Sequence, residues 1–159
     1  MNEQVIDPRF SLYHADCFDI LPSIPDKSVD MICCDLPYGV TSHPEDIPLP
    51  LDKLWEQYER IIKDNGAIVL FGQGMFYVDL VDSNRKLFRY DLVWDKVLTT
   101  GFLNANKMPL RRHEQIAVFY KKLPTYNPQY TKGNSARVFK RHMHATIFLA
   151  QNYNTKDYR

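Results

Sequence analysis

Two apolar runs of strand length, MICCD (31–35) and AIVLFG (67–72), flank a segment with a different period. Within LDKLWEQYERIIK (51–63), Leu51, Leu54, Trp55, Tyr58, Ile61 and Ile62 recur every three or four positions. That spacing draws one stripe along an α-helix, whereas the flanking runs suit strands buried in a sheet. A helix between two strands carries the chain back across the sheet and so joins parallel neighbours. The same reading predicts a short strand over 11–16, a short helix over 17–24 interrupted by Pro22, a helix over 74–86, and strands over 89–96 and 113–121. Asn65-Gly66 reads as the stop of the long helix, and FGQG (71–74) as a tight strand-to-helix turn. The expected fold class is α/β with a mostly parallel sheet and the 31–35 strand near its centre. Trp55 and Trp94 read as core residues.

In such sheets ligands bind beyond the carboxyl ends of the strands. Asp35 stands at one of these ends and Gly72 at the next. Asp35 opens the stretch DLPYG, and its side chain is a hydrogen-bond acceptor when ionised. The residue before a proline is held extended, so the Leu36 carbonyl has a restricted direction. Together they offer two acceptors, which suits an amino group with two N–H donors. Tyr38 adds an aromatic platform for a flat ring, and Gly39 permits a tight turn beside it. The motif has the make-up of a clamp for the exocyclic amine of a planar base.

The chain of 159 residues suits one compact domain and can bury a sizeable core. No apolar run approaches the roughly 20 residues of a membrane span, and no secretory signal opens the sequence. The three cysteines, Cys17, Cys33 and Cys34, lack metal-type spacing, and reduced thiols of a cytoplasmic protein are the expectation. His142 and His144 lack a spaced partner and read as a surface pair, so no metal is expected. The net charge of +1 hides an asymmetry. Residues 1–90 carry 8 Lys/Arg against 15 Asp/Glu, whereas residues 91–159 carry 12 against 4. A basic half points to one face for a polyanion, although solvated surface lysines give the same count.

DLPY resembles the Asp-Pro-Pro-Tyr motif of the DNA amino-methyltransferases, which methylate adenine N6 or cytosine N4. The likeness extends over HADCFDILPSIPDKSVDMICCDLPYG, LDKLWEQYERIIKDNGAIVLFG, FRYDLVWDK, GFLNANKMPLRRHEQIAVFYKK and PTYNPQ, so it covers residues 11–130. It is nearest to a phage and prophage adenine-methylase subgroup, with the catalytic motif N-terminal. The resemblance implies a Rossmann-like S-adenosylmethionine-dependent fold, a mostly parallel sheet with a reversed strand. It implies methyl transfer to a flipped base of double-stranded DNA in a restriction-modification or phage setting. Adenine N6 is the expected target, and cytosine N4 is the alternative. Asp35 and the Leu36 carbonyl would hold the amine, Pro37 would set the loop, and Tyr38 would stack on the base. Asp16, Cys17 and Asp35 would lie at the cofactor. Leu36 replaces the usual proline, a tolerable change where a backbone carbonyl does the work, and Ala15 replaces a glycine.

The stretch 96–112 stands where that family varies its target recognition. Lys107, Arg111, Arg112 and His113 are the expected DNA contacts, with Lys96, Thr99, Thr100, Asn104 and Asn106 nearby. Glu114 follows His113 at a position that resembles one near the target base, and a structural pair at a strand start is the competing explanation. Residues 1–121 would form the catalytic region and 122–159 a basic tail, in which Lys121, Lys122, Lys132, Arg137, Lys140 and Arg141 extend the face with Tyr126 and Tyr130 interleaved. The family's glycine-rich cofactor segment has no counterpart, since FGQG follows the wrong strand. The expectation is therefore an incomplete sheet, from a truncated or only partly ordered product or from a degenerate gene, and, if truncated, an open apolar edge at 31–35 that favours a homodimer or another partner. A truncated domain that only binds DNA or a partner is the rival from a different class.

Overall fold

The computed structural model describes residues 2–7 and 10–129, with side chains from residue 11 onward. The expectations for Tyr130, Lys132, Arg137, Lys140, Arg141, His142 and His144 lie outside the described residues. Met1–Tyr126 form one compact unit, which holds every strand and helix described.

Two strands, β1 (Asn2–Asp7) and β2 (Phe10–His14), pair antiparallel as a separate ribbon. A one-turn helix, α1 (Cys17–Ile20), runs into a 3₁₀ turn at Leu21–Ser23, where Pro22 ends regular hydrogen bonding. Then come β3 (Val29–Asp35), α2 (Leu51–Ile61), β4 (Ile62–Gly72), α3 (Gly74–Ser83), β5 (Phe88–Thr100) and β6 (Arg111–Phe119). The last four strands form one sheet in the order β3-β4-β6-β5.

That sheet is mixed, where the alternation predicts a mostly parallel one. β3 and β4 pair in parallel, but β6 lies antiparallel to both β4 and β5. The cause is the connection between β5 and β6. It is short, holds only a 3₁₀ turn (Phe102–Asn104), and has no helix to make a crossover, so the chain returns antiparallel. β3 lies at a sheet edge among the described residues, as an incomplete sheet implies, and not at the centre that its apolar run alone suggests.

The helix stripe packs as its period requires. Leu54, Trp55, Tyr58 and Ile61 are buried with Ile68 and Leu70 of β4, Phe76 and Leu80 of α3, and Phe119 of β6. Trp55 Nε1 donates to Ser83 Oγ at 2.7 Å, which ties α2 to α3. Arg60 donates from Nη1 to the Ile24 carbonyl (2.8 Å) and from Nη2 to the Leu21 carbonyl (2.9 Å), anchoring α2 to the turn before β3. The helix stops at Ile61 because Ile62 is already extended. Asn65-Gly66 is therefore not its stop. The pair lies within β4, at a register shift where β4 advances five residues, from Ile62 to Ala67, against two of β3. A Cβ on Gly66 would come within 2.8 Å of the Asp30 carbonyl oxygen, so this bulge admits only glycine.

Trp94 corrects a further expectation: it is 46% exposed, on the sheet face away from α2 and α3. Phe71 meets it edge-on at 5.7 Å. On the same face Met31, Tyr90 and Leu92 are also exposed. No helix among the described residues is long and apolar enough to cross a membrane.

Candidate functional site

The ends of three strands meet where the parallel pair terminates. Asp35 closes β3, and its register partner Phe71 leads through Gly72 into the turn that starts α3. The FGQG stretch is indeed a strand-to-helix turn, with Gln73 as the N-cap residue of α3. Because β6 runs the other way, its beginning, Arg111 to Gln115, arrives at the same end of the sheet.

Asp35 is exposed, and its Oδ1 accepts a 2.6 Å hydrogen bond from the Tyr38 hydroxyl. The Tyr38 ring stacks on Phe76, with centroids 4.8 Å apart and planes at 23°. Burial, followed by the bond to Asp35, pushes the phenol far above its ordinary pKa, so it remains a neutral donor. Leu36 turns its side chain into the core at 5% exposure, while Pro37 is half-buried. The Leu36 side chain thus anchors the motif in the core.

The loop after this motif is built around one carboxylate that no sequence motif marks. Asp46 accepts from the backbone N–H groups of Gly39 (2.8 Å), Val40 (2.9 Å) and Thr41 (2.7 Å), and from the Thr41 hydroxyl (2.7 Å). These donors, the Thr41 hydroxyl above all, hold Asp46 far below the usual carboxylate range. Gly39 has φ +68°, and a Cβ there would lie 2.5 Å from Pro48 Cγ. Glycine is therefore required on both counts. The closed loop forms one wall of a cleft of about 520 Å³, lined by Tyr38, Val40, Pro48, Leu49, Phe76 and Arg111 among others. Asp35 does not line it directly and meets it through Tyr38.

Asp16 is the N-cap of α1, its Oδ1 accepting from the Phe18 N–H at 2.8 Å. The Cys17 thiol is pushed up first by burial and then by Asp16, with Cys34 adding to the effect. Cys17 therefore lies near Cys34, the residue before Asp35 in β3. All three cysteines are free thiols. Among the described residues no group of His, Cys, Asp and Glu is arranged to hold a metal ion.

The four expected nucleic-acid contacts fare differently. Arg111 lines the cleft and two smaller cavities beside it, of about 370 and 260 Å³. His113 lines the last of these together with Gln73 and Glu114. Lys107 is exposed on the connection between β5 and β6. Arg112 is held in a fork by Asp95, with Nε to Oδ1 at 2.8 Å and Nη2 to Oδ2 at 2.7 Å. Asp95 Oδ1 also accepts from the Val97 N–H at 2.9 Å, and the Arg112 bond above all holds its carboxyl far below the usual range. Glu114 is buried, and its Oε1 accepts from Lys96 Nζ, which lies 5.6 Å from the Trp94 ring centroid. A structural pairing is one of the two roles that the sequence leaves open for Glu114. The Asp46 cage and the Phe76 stack have no local signal, because their partners lie 5 to 7 and 38 residues away.

No family model matches the chain. Among solved structures, the M1.HpyAVI-SAM complex aligns with a TM-score of 0.55 at 20% identity, covering 78% of this chain and 60% of that one. A second structure of M1.HpyAVI gives 0.54 at 19% identity, over 77% of this chain and 63% of the other. The PvuII DNA methyltransferase, cytosine-N4-specific, gives 0.54 at 14% identity, over 70% and 49% respectively. The chain shares its fold with these proteins and spans about half to three-fifths of their length.

Proposed function

We propose that this chain carries the base-binding half of an S-adenosylmethionine-dependent DNA methyltransferase that acts on an exocyclic amine, adenine N6 first. The catalytic region is 1–121, with target recognition over 96–112, in a restriction-modification or phage setting. One observation carries the reading: an exposed carboxylate at the end of a parallel strand, joined through Tyr38 to a cleft of about 520 Å³. A cleft of this size admits a nucleobase. The likeness of fold to the M1.HpyAVI-SAM complex supports it.

Asp35 and the Leu36 carbonyl accept the two N–H bonds of the amine and so aim the nitrogen lone pair. Transfer would break the sulfonium S–C bond, leaving a thioether, and would pass positive charge to the amine nitrogen. The Asp35 carboxylate would offset that charge and accept the proton the methylated amine must release. The Tyr38 hydroxyl holds Asp35 in place, and its ring, backed by Phe76, gives the base a flat wall. A carboxylate oxygen offers more than one lone pair, so the bond from Tyr38 leaves Asp35 able to accept from substrate. The base must leave its stack for the amine to reach this clamp. The cofactor supplies the methyl group when bound. Asp16 and Cys17 at the start of α1, and Asp35 at the end of β3, would hold its reacting end, and the described residues offer no glycine-rich loop for the remainder.

Asp35→Ala is the direct test. It should lower methyl transfer to DNA by about 10³-fold or more while DNA affinity changes little and the melting temperature falls only slightly, as expected for the loss of the Tyr38 hydrogen bond. Transfer that persists in Asp35→Ala removes this residue from the chemistry. Digestion of the methylated product to nucleosides separates N6-methyladenine from the cytosine N4 alternative, which the likeness to the PvuII enzyme keeps in view.

A further inference from the structure

We propose that the turn Phe102–Asn104 is an apolar wedge, Phe102 and Leu103 entering the base stack of a DNA duplex beside the nucleotide drawn into the cleft. The inference rests on the methyltransferase reading above and assigns to this turn a task that the Asp35 clamp cannot perform.

The tip is apolar and uncovered: Leu98, Phe102 and Leu103 are 77%, 76% and 80% exposed. It is nonetheless ordered by its own backbone. Asn104 N–H donates to the Gly101 carbonyl at 2.9 Å, Ala105 N–H to Phe102 at 3.0 Å, and Lys107 N–H to Asn104 at 2.8 Å. A built turn that presents two large apolar side chains to water is costly unless they have an occupant.

The arm also leaves the sheet by design. Between the pairs Asp95↔His113 and Thr100↔Arg111, β5 advances five residues against two of β6. At that bulge Val97 adopts φ +66°, a conformation that β-branched residues avoid. Asp95 holds it there by accepting from both the Val97 N–H and Arg112. A smaller cavity lined by Thr100, Gly101 and Asn104 shares Val40, Gln73 and Arg111 with the lining of the main cleft, so the tip adjoins the proposed base pocket.

Charge selects the occupant. Residues 96–112 contain Lys96, Lys107, Arg111 and Arg112 and no Asp or Glu. Lys107 and Arg111 form no ion pair among the described residues. Apolar wedges flanked by cations suit duplex DNA, where phosphates meet the cations and the apolar side chains hold two base steps apart. An isologous contact between two copies through this arm would oppose like charges.

The test compares affinities by fluorescence anisotropy for a matched duplex and for the same duplex carrying one abasic site, where opening the stack costs less. The wild-type chain should bind the abasic duplex about tenfold more tightly. Phe102→Ala with Leu103→Ala should abolish that preference while matched-duplex affinity, set by phosphates, changes less than about threefold. Phe102→Trp with Leu103→Met should retain it. A wild-type chain without the preference, or an alanine variant that keeps it, overturns the wedge. If methyl transfer is present in that case, the methyltransferase reading stands and the wedge alone falls. Absence of all DNA binding overturns both. An alanine variant altered only in sedimentation assigns the tip to self-association and likewise overturns the proposal.

Discussion

The same residue types meet opposite fates in two regions of this molecule. Where α2 and α3 cover the sheet, Leu54 and Leu80 are shut away from water, at 1% and 0% exposure. On the arm between β5 and β6, leucines and a phenylalanine stand in the open. The first region shows what makes the fold stable. The second shows which apolar surface the fold does not need, and therefore which surface is available for something else. The carboxylates divide the same way. Glu114 is buried against a lysine, whereas Asp46 and Asp95 sit at the surface and organise backbone.

The sharpest way to break this contrast is a matched pair of truncations. Leu80→Ala should cost about 2–5 kcal/mol in urea unfolding, because it leaves a cavity in the packed layer. Leu103→Ala should remain within about 0.5 kcal/mol of wild type, as an exposed substitution does. A large loss at Leu103 would mean that the arm is core after all. Next in size is Lys96→Met, which leaves the Glu114 carboxylate buried without its cation and should cost about 3 kcal/mol. Pairing it with Glu114→Gln should recover most of that loss, since the two residues are coupled. If the double variant is only as stable as the sum of the singles, the pair does not act as one unit.

The smallest effect concerns the loop. Because Asp46 has its carboxyl held far below the ordinary range, its contribution to loop closure is fully present above the usual carboxylate pKa and is lost as pH falls toward the depressed value. Protection of the Val40 and Thr41 amides, measured against their unstructured exchange rates, should therefore persist at about pH 4, where an ordinary aspartate is half protonated, and be lost only in stronger acid. Asp46→Ala should remove that protection at every pH. Protection retained in that variant would show that Gly39 and Pro48 close the loop without the carboxylate.

Sequence reasoning reaches some of these features and misses others for identifiable reasons. The α2 stripe is legible because period and burial are the same fact for a helix on a sheet. The place of Asp35 is legible because a strand's end is marked locally, by a polar residue and then a proline. Asn65-Gly66 misleads because its composition serves a helix stop and a strand bulge equally, and only the approach of the Asp30 carbonyl selects the bulge. Trp94 misleads because size alone suggests burial, and nothing near it in sequence says which sheet face lacks a covering layer.

From the residues alone come the succession of strands and helices after β1, the carboxylate at the end of β3, and the cationic, acid-free character of 96–112. Each is a property of neighbours along the chain. Only the tertiary structure decides that the sheet is mixed, that Arg112 is gripped by Asp95, that Phe76 backs Tyr38, and that Glu114 is buried against Lys96. Those are contacts between residues far apart in sequence or across a ladder. Their register and direction come from how strands pair and layers pack, which no local pattern encodes.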